Sequence, residues 1–312
     1  SDLPKGVAVL QIHAVNPFGM SHHIRTNEKN VDLNRNWIHF DKELPNNELF
    51  DTIYDALPAP QAPSQAVLQE TLATHQKLIE KHGRWAVDNA LSCGQYHRPD
   101  AIGFGGEGPQ WSRLTLQHIL KEMVGPARHI TYLDWHTLLR IGNGKLIFLC
   151  FNQTGDHLYS RAGSWWGEEA ISRETVNKQW GSGTGAAEKR PSRHGLAMWG
   201  VQEFLAPQTD VAGAVIEFCT DPHETMSADE METYERICEQ YLQSTRDFTS
   251  PDGQKAMAYL KEATSPQSPA FRQGVLTAGA KAFQQALEGA GAWAKENTPA
   301  APGKLQTSSD FS

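Results

Sequence analysis

Two arginines and several asparagines lie close together near the start of the chain, in the stretch 16–37. The apolar run Val7–Val15 precedes this stretch and is typical of a strand buried on both faces, so the polar residues are predicted at a strand end. A guanidinium presents a planar fork of donors that suits a carboxylate. We therefore interpret Arg25, Asn34 and Arg35 as part of the substrate-carboxylate site of a hydrolase, with ion pairs to nearby acidic side chains as the alternative for both arginines.

A histidine and a glutamate follow at the ends of later apolar runs. His136 is placed either to bind a metal through a neutral ring nitrogen or to form a hydrogen bond in the core. Glu217 lies between apolar residues, and a buried carboxylate needs a partner, a metal-bound water or a raised pKa. A general base of a hydrolase and an ion pair with a buried arginine both satisfy this requirement.

Two further patterns carry little chemistry. His13, His22 and His23 lie close together, but their spacing matches no standard metal motif. The glycine-rich stretch 103–108 lacks the lysine of a phosphate-binding P-loop and the strand-to-helix context of a dinucleotide fingerprint. We expect a mobile or close-packed loop beside the site.

Short apolar runs alternate with helical patterns, which predicts an α/β fold with a mixed, mostly parallel sheet and helices on both faces. Polar clusters follow several of these runs, and ligands of open α/β sheets bind at the carboxyl ends of strands. The predicted strands are 7–12, 130–136, 146–151 and 211–220.

Helices are predicted at 64–81, 111–124, 222–245 and 268–293. Residues 41–63 read as a surface excursion and 152–195 as irregular, with a flexible glycine-serine stretch at 181–185. We expect a single domain over residues 1–295 and a disordered tail over 296–312.

The composition excludes several classes of protein. A formal charge of -8 argues against non-specific nucleic-acid binding. No apolar run approaches the roughly 20 residues that span a bilayer. Four scattered cysteines without a C-x-x-C pair fit a reduced compartment, so we expect a cytoplasmic protein. The partner is expected to be a small molecule or peptide with a free carboxylate, and the oligomeric state is open.

Taken together, these residues resemble the zinc carboxypeptidase superfamily, which includes carboxypeptidase A-like and succinylglutamate desuccinylase/aspartoacylase-like enzymes. The chain is most similar to a mostly bacterial branch of that superfamily catalogued as a domain of unknown function. The likeness covers nearly the whole chain, to about residue 290. The motifs that carry it are Asn16-Pro17-x-Gly19, Arg25, Asp32-Leu33-Asn34-Arg35-Asn36-Trp37, Gly94-Gln95-Tyr96-x-x-Pro99, Gly105-Gly106, Pro109-x-Trp111-Ser112, Asp134-Trp135-His136-Thr137 and Ile216-Glu217-Phe218.

The resemblance implies a role for each matched residue. His136 would bind one zinc ion, and Glu217 would be the general base for the zinc-bound water. Asn34 and Arg35 would hold the substrate carboxylate, and Arg25 would stabilise the oxyanion.

One element of the superfamily pattern is missing. An H-x-x-E motif that supplies two of the three zinc ligands should precede the Asn16 loop, and it does not occur in residues 1–15. We therefore expect a fragment that lacks N-terminal strands, carries an incomplete zinc site and is inactive by itself.

Three functions stay open at this point. The first is a carboxypeptidase-like zinc hydrolase of an amide bond beside a free carboxylate. The second is an N-acyl-amino-acid deacylase on the same fold. The third is a non-catalytic binding domain that has lost the metal.

Overall fold

The structure is a computed structural model that describes residues 3–124, 127–139, 144–150, 156–171, 192–206, 208–220 and 226–296. The strands are β1 (His129–Leu139), β2 (Leu146–Cys150) and β3 (Asp210–Thr220). The α-helices are α1 (Pro17–His22), α2 (Phe50–Tyr54), α3 (Gln65–His82), α4 (Arg84–Ser92), α5 (Trp111–Ile119), α6 (Asp156–Trp166), α7 (Glu168–Ile171), α8 (Ala197–Leu205), α9 (Ala228–Thr245), α10 (Pro251–Thr264) and α11 (Pro269–Glu296). A 3₁₀ turn (Leu33–Arg35) and a π-helical turn (Leu120–Val124) complete the described elements.

Across the described ranges, three strands form one mixed sheet in the order β1-β3-β2. The pair β1–β3 is parallel and runs in register from His129 opposite Asp210 to Leu139 opposite Thr220. The pair β2–β3 is antiparallel. The predicted α/β class and the mixed sheet are therefore confirmed. Among the described strands the sheet is not mostly parallel as predicted, because one of its two strand pairs is parallel and the other is antiparallel.

One face of the sheet is covered by α6 and α11. Small β3 residues, Ala212 and Ala214, leave room for the rings of Trp165 and Trp166, and the indole N–H of Trp166 donates to the carbonyl of Ala282 on α11 (3.0 Å). These aromatic contacts explain why 156–171 is helical although the sequence predicted irregular structure there. Burial of the two rings overrides a weak local helix pattern.

The opposite face carries α8 and the functional residues. Val215 and Cys219 of β3 pack with Ile147 and Leu149 of β2 and with Met198 of α8. Because side chains alternate along a strand, Glu217 lies on this face as well. Helices therefore cover both faces, as predicted.

The prediction of a first strand at residues 7–12 is wrong. Residues 7–12 form no ladder, and Val9 and Leu10 expose 45% and 41% of their surface. An apolar run becomes a strand only where another strand completes its hydrogen bonds, and no strand in the described part of the chain lies beside it. The predicted surface excursion 41–63 contains α2, whose Phe50 and Ile53 are buried.

The helix predictions are confirmed with shifted ends. Ser64 caps α3 and Gly83 ends it, while a capping box on Ser227 and Glu230 starts α9 later than predicted. The sequence reading missed α10, which begins at Pro251. Within the described residues, no helix is long and apolar enough to cross a membrane. The predicted flexible stretch 181–185 and the tail, except Glu296, lie outside the described residues.

Candidate functional site

A cavity of about 520 Å³ opens on the α8 face of the sheet, beside the loop that follows α1. All five residues selected from the sequence line it. They are Arg25, Asn34, Arg35, His136 and Glu217.

The Asn16-Pro17-x-Gly19 motif builds the short helix that delivers Arg25. The Asn16 side chain accepts a hydrogen bond from the backbone N–H of Gly19 (3.0 Å) and donates to the carbonyl of Arg25 (3.1 Å). A Cβ on Gly19 would lie 2.3 Å from the Asn16 amide nitrogen, so glycine is required for this cap. The motif therefore fixes where the Arg25 backbone leaves the helix.

Arg25 forms a salt bridge in the cavity wall. Its Nε donates to Asp32 at 2.7 Å, and about half of its side chain is exposed (49%). The Asp32 carboxylate raises the pKa of Arg25 and secures its charge. Burial would raise the pKa of Asp32, but Arg25 and Arg35 hold that pKa below its ordinary value. Because only the Nε of Arg25 is bound to Asp32, its terminal N–H groups stay available on the cavity side.

Arg35 is held by carbonyl groups rather than by an acidic side chain. Its Nε and Nη2 donate to the carbonyl of Ser92 (3.0 and 2.7 Å), and its Nη1 donates to that of Asn34 (2.7 Å). Its nearest carboxylate oxygen, on Asp32, is 4.0 Å away. A guanidinium has five N–H groups, so these three bonds leave two for a ligand.

The glycine-rich loop supports this turn. The Asn36 side chain donates to the carbonyls of Gly105 (2.7 Å) and Gly108 (2.9 Å), and the Tyr96 hydroxyl donates to the Arg35 carbonyl (2.8 Å). A Cβ on Gly105 would lie 2.1 Å from the Tyr96 ring. The loop is therefore close-packed, one of the two forms that we expected.

His136 and Glu217 face each other across β1 and β3. The register pairs them directly, and His136 Nδ1 lies 4.0 Å from Glu217 Oε1. The other ring nitrogen, Nε2, lies 3.2 Å from Asp134 Oδ2. Burial would lower the pKa of His136, but Asp134 and Glu217 raise it overall.

Glu217 is the most unusual group in the site. It is 7% exposed, and its Oε2 is buried without a hydrogen-bond partner among the residues that the structure describes. Burial raises the pKa of Glu217, and the nearby positive groups only partly offset that rise. Buried polar atoms are almost always paired, so an unpaired acceptor in a cavity wall marks a position suited to bind a hydrogen-bond donor.

A comparison with family models matches residues 1–278 to the family described as "Protein of unknown function (DUF2817)". The chain belongs to the DUF2817 family. No curated protein and no solved structure matches the chain.

The DUF2817 chain does not provide a complete metal site within the described residues. No group of three histidine, cysteine, aspartate or glutamate side chains there is arranged to hold a metal ion. Both nitrogens of His136 face carboxylates, of Asp134 and Glu217. His13, His22 and His23 also belong to no such three-residue group, so the described residues do not surround His136 with a three-ligand metal site.

Sequence reasoning missed one wall of the cavity. Glutamates of α9 line it, namely Glu232, Glu235 and Glu239. Their spacing of three and four residues puts them on one helix face, which is a signal that the sequence contains. The site of this DUF2817 chain is therefore lined on one side by the arginine loop and on another by acidic side chains.

Proposed function

We propose that this chain carries the substrate-binding and proton-transfer groups of a hydrolase that cleaves an amide bond beside a free carboxylate. The observation that carries the proposal is Glu217, a buried carboxylate with an unpaired oxygen in the wall that also holds His136 and Arg25. The resemblance of the sequence motifs to zinc carboxypeptidases favours the same reaction class.

Glu217 is suited to accept a proton from the attacking water. Its Oε2 has no other partner in the described structure, and burial raises its pKa, which makes it a better base than an exposed carboxylate. The same oxygen would return that proton to the leaving amine. His136 at 4.0 Å stabilises the ionised form before the reaction.

Arg25 is suited to stabilise the oxyanion. Its Nε is held by Asp32, and its backbone N–H donates to Glu239 Oε1 (3.1 Å), so its position is fixed at two points. About half of the Arg25 side chain is exposed, so its remaining guanidinium N–H groups are accessible to a substrate. A preorganised donor of this kind contributes roughly 3–4 kcal/mol in other hydrolases.

Asn34 and Arg35 are suited to bind the substrate carboxylate. The Asn34 Oδ1 accepts the backbone N–H of Ala197 (2.8 Å), which leaves its amide N–H groups to donate. Arg35 adds its two remaining N–H groups beside them. Four donors with one positive charge match a carboxylate.

Zinc stays a prediction of the resemblance. Since the described residues offer His136 alone, the proposal assigns no step to a metal. A zinc titration followed by elemental analysis, repeated on His136→Ala, measures how much of any metal binding depends on that residue.

Hydrolysis of blocked peptides and N-acyl amino acids tests the proposal, with the full-length protein assayed in zinc-containing buffer. We expect Glu217→Gln to lower kcat by about 100-fold or more, because a positioned base contributes about 10² to 10⁴, and to leave folding intact. Glu122→Gln, at an exposed position, is the matched control. Undiminished turnover by the Glu217 variant would refute the assignment of the base.

A non-catalytic binding domain is the second candidate, and the incomplete metal set among the described residues favours it. It predicts that N-acyl amino acids bind and are never cleaved. Calorimetry on the same compounds separates the two functions, since Arg35→Ala weakens binding in both and only the hydrolase releases product.

A further inference from the structure

The α9 wall of the cavity is formed by three glutamates and a glutamine, namely Glu232, Glu235, Glu239 and Gln243, with Arg236 beside them. The three glutamates and the glutamine lie at intervals of three, four and four, which puts them on one face of the helix. Glu239 accepts the backbone N–H of Arg25 (3.1 Å), so the wall begins directly beside the proposed oxyanion donor.

Two of the three glutamates of this wall have no hydrogen-bond donor beside them. In the described ranges of the chain, the side chains of Glu232 and Glu235 accept no hydrogen bond and form no salt bridge. Burial, followed by the charge of Glu239, raises the pKa of Glu235 to about 8. Arg25 and Arg236 lower that pKa, but they are two positive charges beside three carboxyl groups, and Arg25 is already paired with Asp32 at 2.7 Å. Arg84, nearby, is paired with Asp229 at 3.0 Å.

Gln243 gives an independent sign of a missing donor. It is 6% exposed, lines the cavity, and its Oε1 is buried without a partner among the described residues. A buried acceptor without a partner destabilises the fold, because its lost hydrogen bonds to water are not replaced. A ligand that donates hydrogen bonds removes this cost and brings charge to the carboxylates as well.

We infer that the α9 wall is a subsite for a cationic group, an ammonium or guanidinium, on the substrate. Such a group donates to Glu235, Glu239 and Gln243 while neutralising the wall. Resting on the proposed function, this inference narrows the substrate to an amide that carries both a free carboxylate and a positive charge.

Binding of small amines tests the subsite without any hydrolysis. Pentylamine and pentanol have the same chain length, and only the amine is charged, so calorimetry at pH 7 should show at least tenfold tighter binding of the amine. Pentylguanidine, which carries a single charge, tests the guanidinium in the same way. Because burial and the neighbouring Glu239 raise the pKa of Glu235, a bound cation should lower it again and release a proton, which appears as a binding enthalpy that differs between two buffers.

Variants assign the effect to the wall. Glu235→Gln and Gln243→Met should each weaken amine binding at least fivefold, whereas Glu70→Gln, at an exposed position on α3, should not. Circular dichroism confirms that each variant is folded, and the milder Glu232→Gln provides a further test if Gln243→Met does not fold. Equal binding of pentylamine and pentanol, or an unchanged affinity in Glu235→Gln, would overturn the inference.

The two proposals fail separately. If N-acyl amino acids without a cationic group are hydrolysed as fast as those of lysine, and amines do not bind, the subsite is wrong and the hydrolase stands. If amines bind through Glu235 and no amide is cleaved under any condition, the subsite stands and the hydrolase is wrong.

Discussion

Replacing Arg35 by lysine tells apart two roles of this residue. One role is a substrate ligand, as the sequence suggested, and the other is a fixed part of the fold, as its contacts indicate. Lysine keeps the positive charge but replaces a three-nitrogen fork with a single ammonium. The variant therefore loses the planar arrangement of donors and retains the positive charge.

The magnitude follows from the hydrogen bonds. Arg35 makes three of them, two to Ser92 and one to Asn34, at 2.7–3.0 Å, and it is only 4% exposed. An ammonium at that site reaches one of the two carbonyls well, so about two bonds are lost. At about 1.5 kcal/mol for a bond from a charged donor, the free energy of unfolding should fall by about 3 kcal/mol.

Urea unfolding followed by tryptophan fluorescence measures this change, and Arg25→Lys is the matched control. Arg25 is half exposed and makes one side-chain bond, to Asp32, so its replacement should lower the free energy of unfolding by about 1 kcal/mol or less. Arg35→Lys should also weaken binding of carboxylate compounds, whereas Arg25→Lys, at the proposed oxyanion donor, should mainly lower kcat. Arg35→Lys with wild-type stability and a raised KM would refute the structural role.

Two further predictions concern packing and acid stability. Gly200→Ala should destabilise the protein by about 1–3 kcal/mol in the same unfolding assay, because a Cβ there would lie 2.3 Å from the Trp37 ring; unchanged stability would refute this packing. Asp32 has a lowered pKa in the fold, so its stabilising contribution is present above its unfolded pKa, near 4, and is lost as the pH falls through the folded value. Asp32→Asn should therefore be less stable at neutral pH and flatten the acid limb of the stability curve, whereas a parallel acid limb would contradict the pairing with Arg25.

Much of the sheet could be read from the sequence. The run 211–220 is long, apolar and β-branched, and it becomes the central strand β3, with both neighbours at predicted positions. The five residues selected for chemistry line one cavity. His136 and Glu217 lie near the carboxyl ends of neighbouring parallel strands, and the Asn16 cap fixes the loop that carries Arg25 beside them. Local chemistry therefore predicted which residues meet.

Other features depend on contacts that no local pattern contains. Residues 7–12 have the composition of a strand, yet strand formation needs a neighbouring edge. The helix α6 depends on Trp165 and Trp166 reaching small residues of β3 and α11. The buried arginine could not be anticipated either, because backbone carbonyls, which every residue has, surround Arg35.

The parallel register of β1 and β3 places a constraint on how this site can vary between relatives. A Cβ at Gly213 would lie 1.9 Å from the Tyr132 carbonyl oxygen, so only glycine allows β1 and β3 to pack this closely at that position. Inserting or deleting one residue between Gly213 and Glu217 would turn the carboxylate toward α6 and α11 and present an apolar side chain to the cavity. Homologues that keep this chemistry should therefore preserve the four-residue interval, with length changes confined to segments outside β3.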